Sequence, residues 1–397
     1  MTEHEQWISG RVRGLMPSAT LRINTLAKEY KAQGKPVLSF ATGEPDFPTP
    51  LPIVEAAIKA LQAGKTKYTP TPGIPELRAA IARRYQEKYG VLYDPDAVVV
   101  TIGGKQALYN LFQTILNPGD EVVFFSPYWV SYAEQIKLAG GVPVAVQTDL
   151  TTGFIPDPGL VASAITAQTK AILINSPNNP TGAVYPREVL QSLAELALKH
   201  DLLLISDEIY EDLVYTGVHT CLPTLALSGV KERTVVVSGV SKSFSMTGWR
   251  LGWAVGPEAI IKGMSDLQSH ATSNAASVSQ YAALAALTQD LPELANMAMT
   301  FQERREVMYD LLRAIPGLQV ALPQGAFYLF VDLRGLPGFQ NSETFCRDLL
   351  VEALVATVPG EAFGAPGHMR LSYATSRADI EEGCRRIAAF VEKIRGE

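Results

Sequence analysis

Seven short runs rich in β-branched and aliphatic residues recur between residues 97 and 255, and they constrain the fold more than any other feature. They are AVVVT (97–101), EVVFF (121–125), VPVAV (142–146), AILIN (171–175), LLLIS (202–206), TVVVS (234–238) and LGWAV (251–255). Most are continuously apolar rather than alternating, as a strand buried on both faces reads. Segments of helical character separate many of them, at 104–116, 128–139, 159–167 and 186–199. Strand alternating with helix predicts a doubly wound α/β domain with a seven-stranded, mainly parallel sheet. The last two runs lie too close together for a crossover helix, so one strand there is expected to be antiparallel.

The pattern changes near residue 290. A long polar helix (291–315) leads into LQVAL (318–322) and AFYLFVDL (326–333), then a helix (342–355), the run MRLSYAT (369–375) and a terminal helix (377–395). This α+β arrangement predicts a smaller second domain. The chain has 397 residues, more than one hydrophobic core usually serves, so residues 46–290 are assigned to the large domain and residues 1–45 with 291–397 to the small one. A hydrophobic share of 47% against 19% charged residues excludes bulk disorder. A net charge of −6 argues against a nucleic-acid partner, which needs a basic face. The start MTEHEQWISG lacks a basic, apolar leader, no apolar run reaches the roughly 18 residues a membrane span needs, and the three cysteines show no CxxC pair. The expected location is the cytoplasm.

Four candidate sites fall at ends of the apolar runs, where open α/β sheets bind ligands. In SGVSKSFSMTGWRLG (238–252), Lys242 follows a buried strand and Arg250 lies eight positions on. A desolvated amine forms a Schiff base readily, Arg250 offers a planar fork to a phosphate, and Ser238 and Ser241 offer hydroxyl donors. In SDEIY (206–210), Asp207 suits a buried carboxylate that keeps a pyridine nitrogen protonated, with Tyr210 three residues on as a donor. NSPNNPTG (175–182) is a turn by composition that also aims Asn179 at the same sheet edge. TIGGKQAL (101–108) opens a helix with two glycines, which lets backbone amides approach a phosphate. No metal site is expected, because the five histidines show no ligand spacing.

These segments resemble the fold-type I, class I/II aminotransferases, and the lysine segment fits that family's attachment signature from Gly239 to Gly252. TGEPDF (42–47), GKTKYTPTPGIPELR (64–78), SPYWVSY (126–132) and RLSYAT (370–375) are similar to the bacterial aspartate aminotransferase subgroup Ib. The resemblance covers nearly the whole chain and implies pyridoxal 5′-phosphate as cofactor, held by Lys242. It also implies a role for each matching position. Asp207 pairs with the ring nitrogen, Tyr210 and Asn179 bond the ring oxygen, and Trp129 stacks on the ring. Gly104, Lys105, Ser241 and Arg250 hold the phosphate. Arg370 clamps the substrate α-carboxylate, with Gly43 touching it through backbone. Tyr68 reaches the phosphate of the partner subunit, so a homodimer with shared sites is implied.

The expected reaction exchanges the amino group of L-aspartate with 2-oxoglutarate in a ping-pong cycle, with Lys105 meeting the distal carboxylate. The segment PSAT (17–20) resembles a substrate-closing element of the subgroup. Members that accept prephenate carry Lys or Arg just before it, where this chain has Met16. Aromatic, kynurenine or prephenate substrates stay open, as does a C–S lyase on the same scaffold. A dehydrogenase is disfavoured because TIGGKQAL is not GxGxxG, and a DNA-binding regulator because the arm before residue 45 is too short for a basic DNA-binding module.

Overall fold

The computed structural model describes residues 7–15 and 19–396. Met16 and the first two residues of PSAT therefore lie outside the described residues. Each of the seven apolar runs forms a strand: β1 (Val98–Thr101), β2 (Glu121–Ser126), β3 (Val142–Gln147), β4 (Thr169–Asn175), β5 (Leu203–Asp207), β6 (Thr234–Gly239) and β7 (Gly252–Val255). They make one sheet in the order β1-β7-β6-β5-β4-β2-β3. Neighbours are parallel except β7, which runs antiparallel to both β1 and β6. The short connection before β7 leaves no room for a crossover, and the strand returns instead. β3 is half-exposed and carries Pro143, as suits an edge strand with a missing N–H donor.

Register sets the site. Asn175 at the end of β4 pairs with Asp207 at the end of β5, Asp207 with Val237 of β6, and Gly239 at the end of β6 with Gly252 of β7. The helix Gly104–Ile115 starts against the same edge. A Cβ on Gly252 would lie 2.4 Å from the Gly104 nitrogen, so only glycine lets the helix N-terminus approach this closely. The helix expected at 128–139 begins at Ser131 instead, because residues 127–130 form the corner that carries Trp129.

A second sheet runs Val358–Pro359, His368–Ser372, Tyr328–Asp332 and Gln319–Val320, all antiparallel. The helices Glu293–Arg313, Ser342–Ala353 and Arg377–Arg395 join a core built on Phe301, Phe327, Leu329, Met369 and Ile387. Leu38–Ser39 pairs in parallel with Val355–Ala356, which ties the segment before residue 45 to the C-terminal third. Among the described residues, no helix is long and apolar enough to cross a membrane.

Candidate active site

One cavity of about 470 Å³ opens at the carboxyl edge of the seven-stranded sheet. Lys242, Asp207, Asn179, Tyr210, Ser241 and Arg250 line it from strand-end loops, Gly104, Lys105 and Trp129 from the helix side, and Gly43 and Arg370 from across the cleft. All the singled-out positions meet there except Ser238 and Tyr68. The Ser238 hydroxyl is buried and turned toward Glu211 Oε1, 3.4 Å away, so it offers nothing to the cavity. Tyr68 stands in a loop, 89% exposed, outside the cavity.

Lys242 Nζ donates to the Gly43 carbonyl at 2.5 Å. Burial pulls its pKa down to about 8, the nearby cations Arg370, Arg250 and Lys105 pull the same way, and Glu44 opposes them. Lys105 is also pulled down, by burial and by Arg250, and its ammonium lies 4.7 Å from the centre of the Trp129 ring. Asp207 is pushed up to about 6 by burial. Two hydrogen bonds oppose that shift: Tyr132 donates its hydroxyl to Asp207 Oδ2 at 2.6 Å, and the Ile209 amide donates to Oδ1. Asn175 braces this edge by donating to the Asp207 carbonyl while accepting from the Asn179 amide.

Arg370 is fully buried on the strand His368–Ser372. It donates to Asn179 Oδ1 and to the Ala41 carbonyl, both at 2.9 Å, and lies 4.4 Å from the Tyr328 ring centre. Its Nε has no partner among the described residues. Burial lowers its proton affinity, yet a guanidinium stays charged in a protein. Arg250 occupies the left-handed region at φ 53°, a conformation that costs a side chain about 1–3 kcal/mol and is kept only where surroundings enforce it. It donates to the Thr247 carbonyl, and its guanidinium fills the space above Gly103: a Cβ there would lie 2.6 Å from Nη2. Gly103 has φ +77°, which frees the turn into the helix.

Sequence reasoning did not single out Tyr132, Asn175, Tyr328, Phe363, Glu44 or Thr247, which also line the cavity. Tyr132 and Asn175 sit inside SPYWVSY and NSPNNPTG, so proximity to the named residues was an available signal. Tyr328 comes from the apolar run AFYLFVDL, which reads as core, and Phe363 from the glycine-rich stretch GEAFG, which carries no such signal.

The class I and II aminotransferase family profile matches residues 35–387. An aspartate aminotransferase of Geobacillus stearothermophilus is 49% identical over 389 residues, covering 97% of this chain and 99% of that protein. The aspartate/prephenate aminotransferase of Thermus thermophilus is 47% identical, covering 96% and 98%. The solved structure of the Thermus thermophilus aspartate aminotransferase with maleate superposes with a TM-score of 0.92 at 46% identity, over 96% of this chain and 99% of that one.

Proposed function

The chain belongs to the class I and II aminotransferases, which depend on pyridoxal phosphate, and on that premise we propose that it exchanges the amino group of L-aspartate with 2-oxoglutarate. The observation that carries the aspartate reading is two cations in one cavity with no carboxylate partner among the described residues: the buried guanidinium of Arg370, for the carboxylate every amino acid has, and Lys105, for the second one that only a dicarboxylate brings. A buried charge is costly unless paired, and a dicarboxylate supplies the missing anions.

The residues present fit the cofactor. Asp207 is a buried acid with no ion pair among the described residues, Lys242 is an amine with lowered proton affinity, and the Gly103 turn opens a helix N-terminus beside the Arg250 guanidinium, where a side chain at Gly103 would press on that guanidinium. When bound, pyridoxal phosphate supplies a protonated ring that withdraws the electron pair left when the substrate α-carbon loses its proton. Lys242 would hold it, and the freed Nζ would then take that proton; an amine titrating near 8 is a competent base close to neutrality. Asp207 would keep the ring nitrogen protonated, with Tyr132 fixing the carboxylate. Tyr210 and Asn179 would bond the ring oxygen, and Trp129 would stack on the ring. Gly104, Ser241 and Arg250 would hold the phosphate. Arg370, set by Asn179 and the Ala41 carbonyl, would clamp the α-carboxylate beside Gly43, and Lys105 would meet the distal one. That clamp fixes the α-hydrogen relative to Nζ, which is worth several kcal/mol of barrier.

Three further parts of this reading rest on coarser support. Residues 46–290 would form a large domain, and residues 1–45 with 291–397 a small one, in keeping with the two sheets and the Leu38–Ser39 pairing. A homodimer would place Tyr68 at the partner's phosphate; the exposed Leu51, Ile58 and Leu61 on one helix offer apolar surface for it. Three buried free cysteines suit the reducing cytoplasm. Steady-state kinetics test the substrate assignment: parallel double-reciprocal lines with L-aspartate and 2-oxoglutarate are expected, at a kcat/KM about 10²-fold or more above phenylalanine or alanine. Because a relative at 47% identity is named for prephenate as well, prephenate belongs in the same series. A preference for prephenate over 2-oxoglutarate would overturn the choice of oxo acid.

A further inference from the structure

Glu208 is the next residue after Asp207, yet it faces away from the cavity into a closed polar cluster. Its carboxylate is 1% exposed. Oε1 accepts from the Ser206 hydroxyl at 2.7 Å and the Leu222 amide at 3.3 Å, and Oε2 lies 3.0 Å from Nε2 of His219, whose side chain is 6% exposed. The ring of Tyr89 packs edge-on against His219. Glu211 stands beside them, close enough that one ligand atom from each of Glu208, Glu211 and His219 falls within 4.8 Å of the others. Glu211 is already taken by Arg84, Lys88 and Tyr89, so a metal would have to displace two cations to enter.

We propose that His219, acting through Glu208, is an electrostatic positioning residue for Asp207: its imidazolium neutralises the Glu208 carboxylate that would otherwise sit unbalanced behind the cofactor's ring-nitrogen partner. The groups facing this pair are Glu211 and Lys88, with Arg84 and Asp212 behind them in the adjoining network, the phenols of Tyr85, Tyr89 and Tyr93, and the Cys221 thiol. Burial disfavours the charged imidazole, and Nδ1 has no partner among the described residues, but Glu208 and then Glu211 act the other way and His219 is shifted upward. Glu208 is in turn among the groups that push Asp207 up. Removing the imidazolium leaves one uncompensated negative charge, which favours protonation of every group in the cavity within its reach.

The inference rests on the cofactor reading, so the visible band of the unsubstituted protein is recorded first and separates failure of that reading from failure of this one. In His219→Asn, the pH midpoint of the lysine-bound cofactor's absorbance change is expected to rise by roughly one unit, the size one unbalanced charge produces across several ångströms of partly polar interior. Glu208→Gln added to His219→Asn is expected to bring the midpoint back. A role confined to packing would lower the melting temperature in both variants without moving the midpoint and without rescue, and that result would overturn the inference. Titration of the His219 ring by NMR in the unsubstituted protein needs no variant. A midpoint above the ordinary value near 6.5 is expected, and an imidazole that is neutral at pH 6.5 would overturn it as well.

Discussion

Below the sheet edge, Arg84 from the helix Pro75–Tyr89 meets Glu211 at 3.1 Å and Asp212 at 2.8 Å, while Lys88 reaches the same two acids. In the cavity a few residues away, Lys105, Lys242, Arg250 and Arg370 form no ion pair with any described carboxylate. Both clusters hang on the loop that follows β5, since Asp207 and Tyr210 face one and Glu208, Glu211 and Asp212 the other. The first satisfies its own charges and so fastens the loop. The second leaves its cations to be satisfied by what binds, which is how a fold marks an anion site: the same charges, unpaired. The acids show the same contrast. The cations Arg84 and Lys88 hold Asp212 down at about 2, whereas Asp207, buried with no ion pair among the described residues, rises to about 6 even though the Lys242 charge opposes the shift.

Substitutions that separate the two clusters sharpen this comparison. The largest effect is expected from Arg370→Met, which should lower kcat/KM for L-aspartate by about 10²–10³-fold, the usual result of losing one side of a buried charge pair. Its melting temperature should hold or rise, because an unpaired buried charge has been removed; a clear fall would break the contrast. Arg84→Met should do the reverse. It leaves Glu211 buried and short of a partner, so unfolding should become easier by about 3 kcal/mol while kcat/KM stays within about threefold. Denaturant melts alongside kinetics check both.

Asp207→Asn in the cofactor-free protein tests the cost of the unpaired acid. The folded pKa of about 6 lies above the ordinary 3.8, so the stability linked to a neutral Asp207 is present below pH 4 and is lost as pH rises through 6. The Asn variant should therefore be more stable by roughly 2–3 kcal/mol at pH 8 and about equal at pH 4. Equal stability at both pH values would mean that Asp207 is not strained by burial. Tyr132→Phe should have the smallest effect, weakening cofactor retention about tenfold through loss of one hydrogen bond to a charged group, as read by equilibrium dialysis.

The seven strands were legible because most are continuously apolar runs, and the short connection between the last two announced that one of them is antiparallel. The cavity residues Lys242, Asp207, Asn179 and Arg250 were legible together rather than singly: each alone also reads as a turn, a cap or a solvated charge, but the segments that hold them fall at the ends of apolar runs, where open α/β sheets bind ligands. Tyr132 and Tyr328 were not, since an aromatic within a helix or an apolar strand reads as core, and only the fold shows a hydroxyl pointing at Asp207 or Tyr210. The Arg84 network was invisible for a different reason. Its basic and acidic halves are separated by more than 120 residues, and nothing local marks a lysine or arginine as paired. Ser238 looked like a cavity donor from its place in the lysine segment, but strand alternation turns its hydroxyl into the network instead.

The most direct test of the central claim is a single half-reaction: L-aspartate added alone to the purified protein, with no oxo acid present. The account predicts loss of the visible cofactor band with one equivalent of oxaloacetate released per Lys242. A cofactor band that L-aspartate leaves unchanged would contradict the assignment of Arg370 and Lys105 to a dicarboxylate, and no band after reconstitution with pyridoxal phosphate would contradict the role given to Lys242.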